Sequence, residues 1–474
     1  MADMSEQDTF DVVVLGAGPA GEVLAGRCAD AGLSVALVER ELVGGECSYW
    51  GCIPSKTLLR PGDVVAAARR VPGAEQAVTG EIDVPAVLAQ RDYMTGSWDD
   101  SGQVPWLEEH HVTLLRGTGR LAGERVVDVE SPQGVRRLSA NRAVVLATGT
   151  RSAIPPVDGL ADVRPWDNRD VTSIKDFPRR LLVLGGGAIG LEMAQGLRRL
   201  GVSEVTVVEG GEHLLAREEP FAGEEVGAAL RLEGIRIITG ARAQHARRVG
   251  RDGPVTLVLE DGTTLTADEI LVAAGRRPAS DDVGLDAVGL RPGTWIEVDD
   301  SLRASGVDGG WLYAIGDCNG RAQLTHMGKY QARIASDVIT GRLDASGATA
   351  RDRASRDVVP RVTFTDPQVS AVGLTEVQAR EQGIDVRTVS YGTGDVAGAY
   401  VQGNGIKGTS KLVIDENRRV LVGATFTGPA TQELVHAATI AIAGAVTVDD
   451  LWHAVPSFPT VSEVWLRLLE SYGL

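Results

Sequence analysis

Two segments of this chain repeat one grammar: an apolar run, a glycine turn, a helical stretch, a second apolar run and a closing glutamate. In the first, residues 10–15 (FDVVVL) stop at GAGPAG, EVLAGRCADAG follows with helical spacing, and SVALVE ends at Glu39. In the second, LLVLGGGAIGLEMAQGLRRLGVSEVTVVE ends at Glu209. Each reads as strand, turn, helix, strand, the βαβ unit of a parallel sheet. The two copies lie too far apart for a solenoid and mark an architectural duplication. The turn glycines have separate tasks: Gly16 permits the tight turn, Gly18 lets backbone approach a pyrophosphate, and Gly21 lets helix pack on strand. Gly185, Gly187 and Gly190 repeat the set. Each helix N-terminus then faces phosphates, and Glu39 and Glu209, about 20 residues on, can accept from ribose hydroxyls. One such set could be packing glycine; two, each with its acid, predict two bound dinucleotides. Glu209 repels a 2′-phosphate, and Gly210, Gly211 and Glu212 after it supply no arginine to hold one. NADH is therefore expected over NADPH.

At 474 residues with 43% apolar side chains, the chain is long enough for two to four domains with a sizeable core. Two buried-strand signals run into glycine turns, VVLATGT (residues 144–150) and ILVAAGRRP (residues 270–278), and WLYAIGDCNG occupies residues 311–320. From about residue 361, apolar and polar residues alternate between hairpin-like turns. The helical stretches ELVHAATIAIAGA and SEVWLRLLESYG follow, predicting a separate α+β domain after a polar linker near residues 345–358. A net charge of −17 repels phosphate backbones and anionic membranes, so neither nucleic acid nor membrane is an expected partner. The first residues show no basic segment followed by an apolar one, and no apolar run approaches the ~20 residues of a membrane span. A cytoplasmic protein is expected.

Four cysteines occur: Cys28, Cys47, Cys52 and Cys318. In a reducing cytosol a close pair such as Cys47 and Cys52 points to catalysis or metal binding rather than a structural bridge. A metal would need further ligands, and no second pair or Cys/His cluster lies nearby. If GGECSYWGCIPSK (residues 44–56) is helical, the two cysteines lie within about 1.5 turns, and a bent first turn could close a disulfide. Lys56, at i+4 from Cys52, can share its helix face and favour a thiolate. Cys28, inside the first helical stretch, is expected to pack in the core, and Cys318 to be a small buried residue.

With the C-x₄-C run, its CIPSK continuation and the two dinucleotide motifs, the chain resembles the pyridine nucleotide–disulfide oxidoreductases. Dihydrolipoamide dehydrogenase, glutathione reductase and mercuric reductase belong to that family. The likeness extends to ATG (residues 147–149), GRRP (275–278), AIGD (314–317), LTH (324–326) and PTVSE (459–463). It implies an α/β fold with two Rossmann-like dinucleotide-binding domains plus a C-terminal α+β dimerisation domain. The implied boundaries are 1–150 and 276–345 for FAD, 151–275 for NAD and 358–474 for dimerisation. FAD would be held by Gly16, Gly18, Gly21, Glu39, Gly45, Lys56, Gly119, Thr148, Gly149, Gly316, Asp317, Leu324, Thr325 and His326. Gly185, Gly187, Gly190, Glu192, Glu209 and Gly275 would hold NAD. The resemblance makes Cys52 the flavin-proximal thiol and Cys47 the interchange thiol that meets substrate, with Lys56 and Glu192 paired beside the flavin. The family is homodimeric, each site being completed by the C-terminal domain of the other subunit.

The chain departs from the family at two places. The C-terminal His-Pro-Thr-x-Ser-Glu, whose histidine moves protons for the interchange thiol, reads Phe458-Pro459-Thr460-Val461-Ser462-Glu463. Glu463 is kept as a catalytic candidate, but the base is gone, and a positioned acid–base group is typically worth about 10²–10⁴-fold. Lipoamide oxidation is therefore not expected; His453, five residues upstream, is the nearest alternative base. Between the cysteines stand Ser48, Tyr49 and Trp50 where the family commonly has Val-Asn, giving either a flat apolar approach to the disulfide or packing beneath the helix. The chain ends without the cysteine pair of mercuric reductases, so mercury is not the expected acceptor. The expected function is transfer of electrons from NADH through FAD to the Cys47–Cys52 pair and on to a small disulfide substrate. Two alternatives are direct reduction of quinones or metal ions by the flavin, and service as the flavoprotein subunit of a larger complex.

Overall fold

A computed structural model describes residues 8–342 and 350–474, so the first part of the linker expected at 345–358, the domain boundary placed at 345 and the start of the chain lie outside the described residues. The chain forms two compact units: Met1–Pro54 with Asp92–Arg151 and Arg276–Arg356, and Ser55–Arg91 with Ser152–Gly275 and Asp357–Leu474.

In the first unit, β1 (Thr9–Leu15) passes through the glycine turn into α1 (Pro19–Asp30) and returns as β2 (Val35–Glu39), parallel to β1 with Val12 opposite Val35 and Leu15 opposite Val38. Next come α2 (Gly45–Tyr49), α3 (Cys52–Arg69), which from Ser55 onward belongs to the second unit, β3 (Val112–Arg116), β4 (Thr118–Gly123), β5 (Val126–Ser131) and β6 (Gly134–Leu146). The sheet order is β3-β2-β1-β6-β5-β4, and a last strand, Leu312–Ala314, lies parallel to β6. β6 serves two kinds of sheet: its first half pairs antiparallel with β5, its second half parallel with β1. The run of valines in β1 does not alternate because both faces are covered. Val12 and Val14 pack with Leu24 and Ile315, whereas Val13 and Leu15 pack with Leu121 and Leu138. Glycine is obligatory at the turn. Gly16 has φ +104°, and a Cβ on Gly21 would stand 1.9 Å from the Gly16 carbonyl oxygen.

The second unit repeats this at Arg180–Leu184, helix Ala188–Arg199 and Glu204–Val208, in a four-stranded parallel sheet completed by Arg236–Ile238 and Glu269–Val272. A Cβ on Gly190 would stand 2.1 Å from the Gly185 oxygen. The C-terminal part forms the expected α+β layer. Its antiparallel five-stranded sheet runs Arg361–Thr363, Gln368–Gly373, Val420–Gly428, Thr409–Asp415, Val386–Gly392. Phe426 and Leu412 of this sheet pack with Leu434 and Ala438 of helix Thr431–Ala443 and with Val464 and Leu468 of helix Glu463–Tyr472. No described helix is long and apolar enough to cross a membrane.

A largely buried charge cluster lies inside the second unit. The Arg199 guanidinium reaches Asp63 at 2.9 Å, Glu233 at 2.7 Å and Asp366 at 2.8 Å, and Arg70 also pairs with Asp366. Three carboxylates thus compete for one deeply placed cation. Burial pushes the Asp63 carboxyl up to about 6, with Asp366 and Glu233 adding to it and Arg199 opposing. Because this folded value lies above the ordinary 3.8, Asp63 favours the folded state fully at acid pH, and that contribution is lost as pH rises from about 4 to 6. Asp63→Asn is expected to flatten the fall in melting temperature between pH 4 and pH 7 by roughly 2 °C; an unchanged slope would assign the dependence to another carboxyl.

Candidate active site

The cysteines are brought together by a break in the helix. Residues 44–56 form not one helix but two, α2 and α3, with Trp50 at a non-helical φ of −138° between them. At Gly51 the chain doubles back so closely that a Cβ would sit 3.0 Å from the Glu46 oxygen and 3.4 Å from Cys47 Cα. Cys47 lies in α2 and Cys52 is the first residue of α3. Gly44 (φ +109°) donates its N–H to the Ala17 carbonyl at 2.8 Å, and a Cβ on Gly45 would meet Gly18 Cα at 2.9 Å, so α2 starts against the first glycine turn. Cys52 Sγ lies 3.4 Å from Thr325 Oγ1, at the start of helix Thr325–Ile339. The Cys47 thiol is held well above its usual range, first by its hydrogen bond with Cys52 and then by burial, against the weaker pull of Thr325 and Lys329. Two sulfurs this close cannot both ionise readily.

Of the aromatics between the cysteines, Tyr49 is buried and packs against Gly44, while its carbonyl accepts the Trp98 indole N–H at 3.2 Å. For Tyr49 the packing role is the one observed. Burial pushes its hydroxyl up to about 12. Cys28 and Cys318 are fully buried; the Cys318 thiol points to the Leu146 and Ile315 carbonyls.

Both glutamates that close the βαβ units spend their oxygens on backbone amides. Glu39 accepts from Ala17 and Glu41, each at 2.7 Å; Glu209 accepts from Gly186 and Gly211, each at 2.6 Å. The carboxylates therefore brace the glycine turns, with a second lone pair on each oxygen left for a ribose. The helices that follow start at Gly18 and Gly187, both extended and without a side-chain cap. Gly149 has φ +69° and its carbonyl receives the Ala279 amide. Gly119 lies against Leu15 and Val38, Gly275 has φ +138°, Gly316 donates to Gln331, Leu324 precedes the helix at Thr325, and His326 is exposed.

Lys56 donates to Glu192 Oε2 at 2.7 Å, so its ammonium is committed to a carboxylate rather than left free for a cysteine sulfur. Glu463 is 7% exposed; its Oε1 accepts from Arg467 at 2.8 Å and its Oε2 is buried without a hydrogen-bond partner among the described residues. Phe458, cis to Pro459, is 74% exposed, and His453 is exposed at the end of the helix Val448–Trp452.

Asp317 was expected here, whereas its partners Thr150 and Arg276, and Glu22, were not legible beforehand. Asp317, raised by burial, accepts from Thr150, which in turn accepts from Arg276 at 2.6 Å. Glu22, in the first turn of α1, is pushed up to about 7 by burial, with Glu39 adding and Lys329 opposing. Glu22 follows Gly21 and Arg276 follows Gly275 in the chain, but the contacts that give them their roles join distant segments that no short pattern records.

Residues 10–332 match the family model described as pyridine nucleotide-disulphide oxidoreductase, and residues 359–468 match the dimerisation domain of the same family. The chain belongs to that family. As a pyridine nucleotide-disulphide oxidoreductase it is a flavoprotein enzyme of an FAD-dependent group that uses pyridine nucleotide. The mercuric reductase of Lysinibacillus sphaericus is 30% identical, across 96% of this chain and 81% of that protein. The dihydrolipoyl dehydrogenase of Chlamydia muridarum is 31% identical, across 97% and 96%. Among solved structures, the HOCl-induced flavoprotein disulfide reductase RclA from Escherichia coli, as its Cu(II) complex, superposes with a TM-score of 0.84 at 25% identity, across 98% of this chain and 99% of that one.

The residues of the first unit fit the FAD of this oxidoreductase family. The uncapped amides at Gly18 match a pyrophosphate. Thr148 Oγ1 is buried with no hydrogen-bond partner among the described residues beyond the Cys318 sulfur beside it, whose own thiol donates elsewhere, and so has capacity left for a ligand. Thr148→Val, which keeps the shape, should leave the flavin-free protein close to the parent in stability while weakening FAD binding roughly five- to tenfold. Equal FAD affinity in both proteins would remove Thr148 from the flavin site.

Proposed function

We propose that this enzyme passes electrons from NADH by way of FAD to the Cys47–Cys52 pair and from there to a small disulfide. The observation that carries the reading is the doubled-back chain at Gly51, which sets Cys52 beside Cys47 and against Thr325. Bound flavin would supply the relay of two electrons from the reduced nucleotide to the cysteines. Residues 1–150 and 276–345 would hold it, residues 151–275 the nucleotide, and residues 358–474 would join two copies into a homodimer. The dimerisation-domain match and the exposed Phe458, Val455 and Trp452 support that last assignment. The preference for NADH rests on Glu209, whose carboxylate is fixed where a 2′-phosphate would be repelled.

In the substrate half-reaction Cys47 loses its proton and attacks one sulfur of the disulfide. A Cys47–substrate bond forms, and the first thiol leaves with a proton. Cys52 then gives up its proton and attacks Cys47, the second thiol leaving with that proton as the Cys47–Cys52 bond re-forms; two electrons from the nucleotide, with two protons, reopen it. The difficult event is the first deprotonation, because Cys52 and burial hold the Cys47 proton and no histidine stands at position 458. Disulfide turnover should therefore be slow at neutral pH and climb steeply into the alkaline range. Phe458→His is expected to raise kcat/KM for a small disulfide at pH 7 by about 10²-fold and to flatten the pH profile. No gain would mean that position 458 does not serve Cys47.

A second reading is favoured by the same Phe458: electrons go directly to a quinone or metal ion, bypassing Cys47. The RclA structure that this chain resembles is a Cu(II) complex. Cys47→Ser separates the two readings. Loss of at least about 10³-fold in disulfide reduction supports the dithiol route; NADH turnover with every acceptor unchanged would establish the direct one.

A further inference from the structure

The Lys56 ammonium is held by more than its carboxylate. Its Nζ lies 2.7 Å from Glu192 Oε2 and 4.7 Å from the centre of the Phe364 ring. The Phe364 backbone N–H, in turn, donates to the other oxygen, Glu192 Oε1, at 2.9 Å. One phenylalanine thus supplies both a π face for the cation and an amide for the anion. Glu192 has a side chain only 5% exposed, and the amide leaves it no freedom to swing away from the lysine. The stretch bearing Phe364 is itself fastened along the same helix, Ala188–Arg199. Asp366 N–H donates to Gln195 Oε1 at 2.8 Å, Gln195 Nε2 donates to the Asp366 carbonyl at 3.0 Å, and Arg199 pairs with the Asp366 carboxylate. Glu192, Gln195 and Arg199 fall on one helix face, so residues 364–366 lie along it as a strip.

We propose that Phe364 is a positioning residue for Lys56, fixing the ammonium between a ring face and a carboxylate that it also anchors. The geometry stands without reference to the acceptor; its bearing on catalysis rests on the place beside the flavin that the family resemblance implies for Lys56. An aromatic face attracts the lysine ammonium and restricts its reach. Removing the ring while keeping the backbone amide leaves the ion pair intact and takes away only the second restraint. The amine then becomes easier to reach, which speeds its chemical modification.

The test is the rate of reductive methylation of Lys56 in the purified flavoprotein, read by peptide mass spectrometry alongside its thermal unfolding. Phe364→Leu should methylate Lys56 roughly two- to tenfold faster than the parent, and Phe364→Tyr, which keeps the π face, should match the parent. Glu192→Gln, which breaks the ion pair, serves as the upper reference and should exceed both. Phe364→Met fills the apolar space without a ring and gives the same reading should the leucine variant fail to fold. Parental methylation in whichever of the leucine and methionine variants folds, with Glu192→Gln fast, would overturn the proposal, because the ion pair alone would then be holding the lysine. None of these rates depends on the disulfide chemistry, so failure of the dithiol route would leave this result standing.

Discussion

The structure depends on a close contact made twice: the carbonyl of the first turn glycine against the α-carbon of the third. At Gly16 and Gly21, and again at Gly185 and Gly190, a single added methyl would stand about 2 Å from that oxygen. The contact lets the helix begin immediately after the strand with its first amides turned outward and uncapped. Unpaired amides at a helix start are a liability in a protein that binds nothing there and an anion site in one that does. Glu39 and Glu209 complete the arrangement by tying the turn to the end of the neighbouring strand. A dinucleotide would meet a carboxylate already fixed by two backbone bonds, with little ordering cost left at the moment of binding.

What could be read from the chain follows from what such contacts demand of sequence. Both glycine turns, their acids, the parallel strands and the antiparallel C-terminal layer were legible because each imposes a local pattern: glycine where no Cβ fits, unbroken apolar runs where both faces are buried, alternation where only one is. The cysteine pair was legible as a pair, but not its mechanics. The spacing suggested one bent helix, whereas the chain breaks at Trp50 and Gly51 into two. Thr150, Arg276, Glu22 and Phe364 left no such trace, because their roles arise from contacts between distant segments that no short-range pattern records. The ambiguity at Tyr49 was likewise one of burial, which spacing alone cannot decide; the ring packs inward against Gly44.

The C-terminal departure reaches beyond one substituted residue. Glu463 remains, buried, with one oxygen held by Arg467 and the other without a partner among the described residues. A buried acceptor left in this condition carries a desolvation cost of about 1–3 kcal/mol. Arg467 offsets the charge, so the carboxylate persists as an ion-paired element of the helix start rather than as the support of an imidazole. Phe458 meanwhile is turned outward. On the function proposed above, proton management at Cys47 would be left to solvent and to the coupling between the two sulfurs, which would favour acceptors that demand little of it.

The unit built on the first glycine turn is assembled from three stretches of chain, the last ending at Arg356. Its strand Leu312–Ala314 and helix Thr325–Ile339 supply Ile315, Ala332 and Ala335 to the face lined by Val12 and Val14. On a ribosome adding about 5–20 residues per second, β1 to β6 are out roughly ten to forty seconds before that cover arrives. For this interval the nascent chain presents a strip of valines with nothing to lie on it. The discontinuity that brings Asp317 and Thr325 to the turn thus also sets a period of exposure during synthesis, in which chaperone shelter counts for more than it would in a domain made from one unbroken segment.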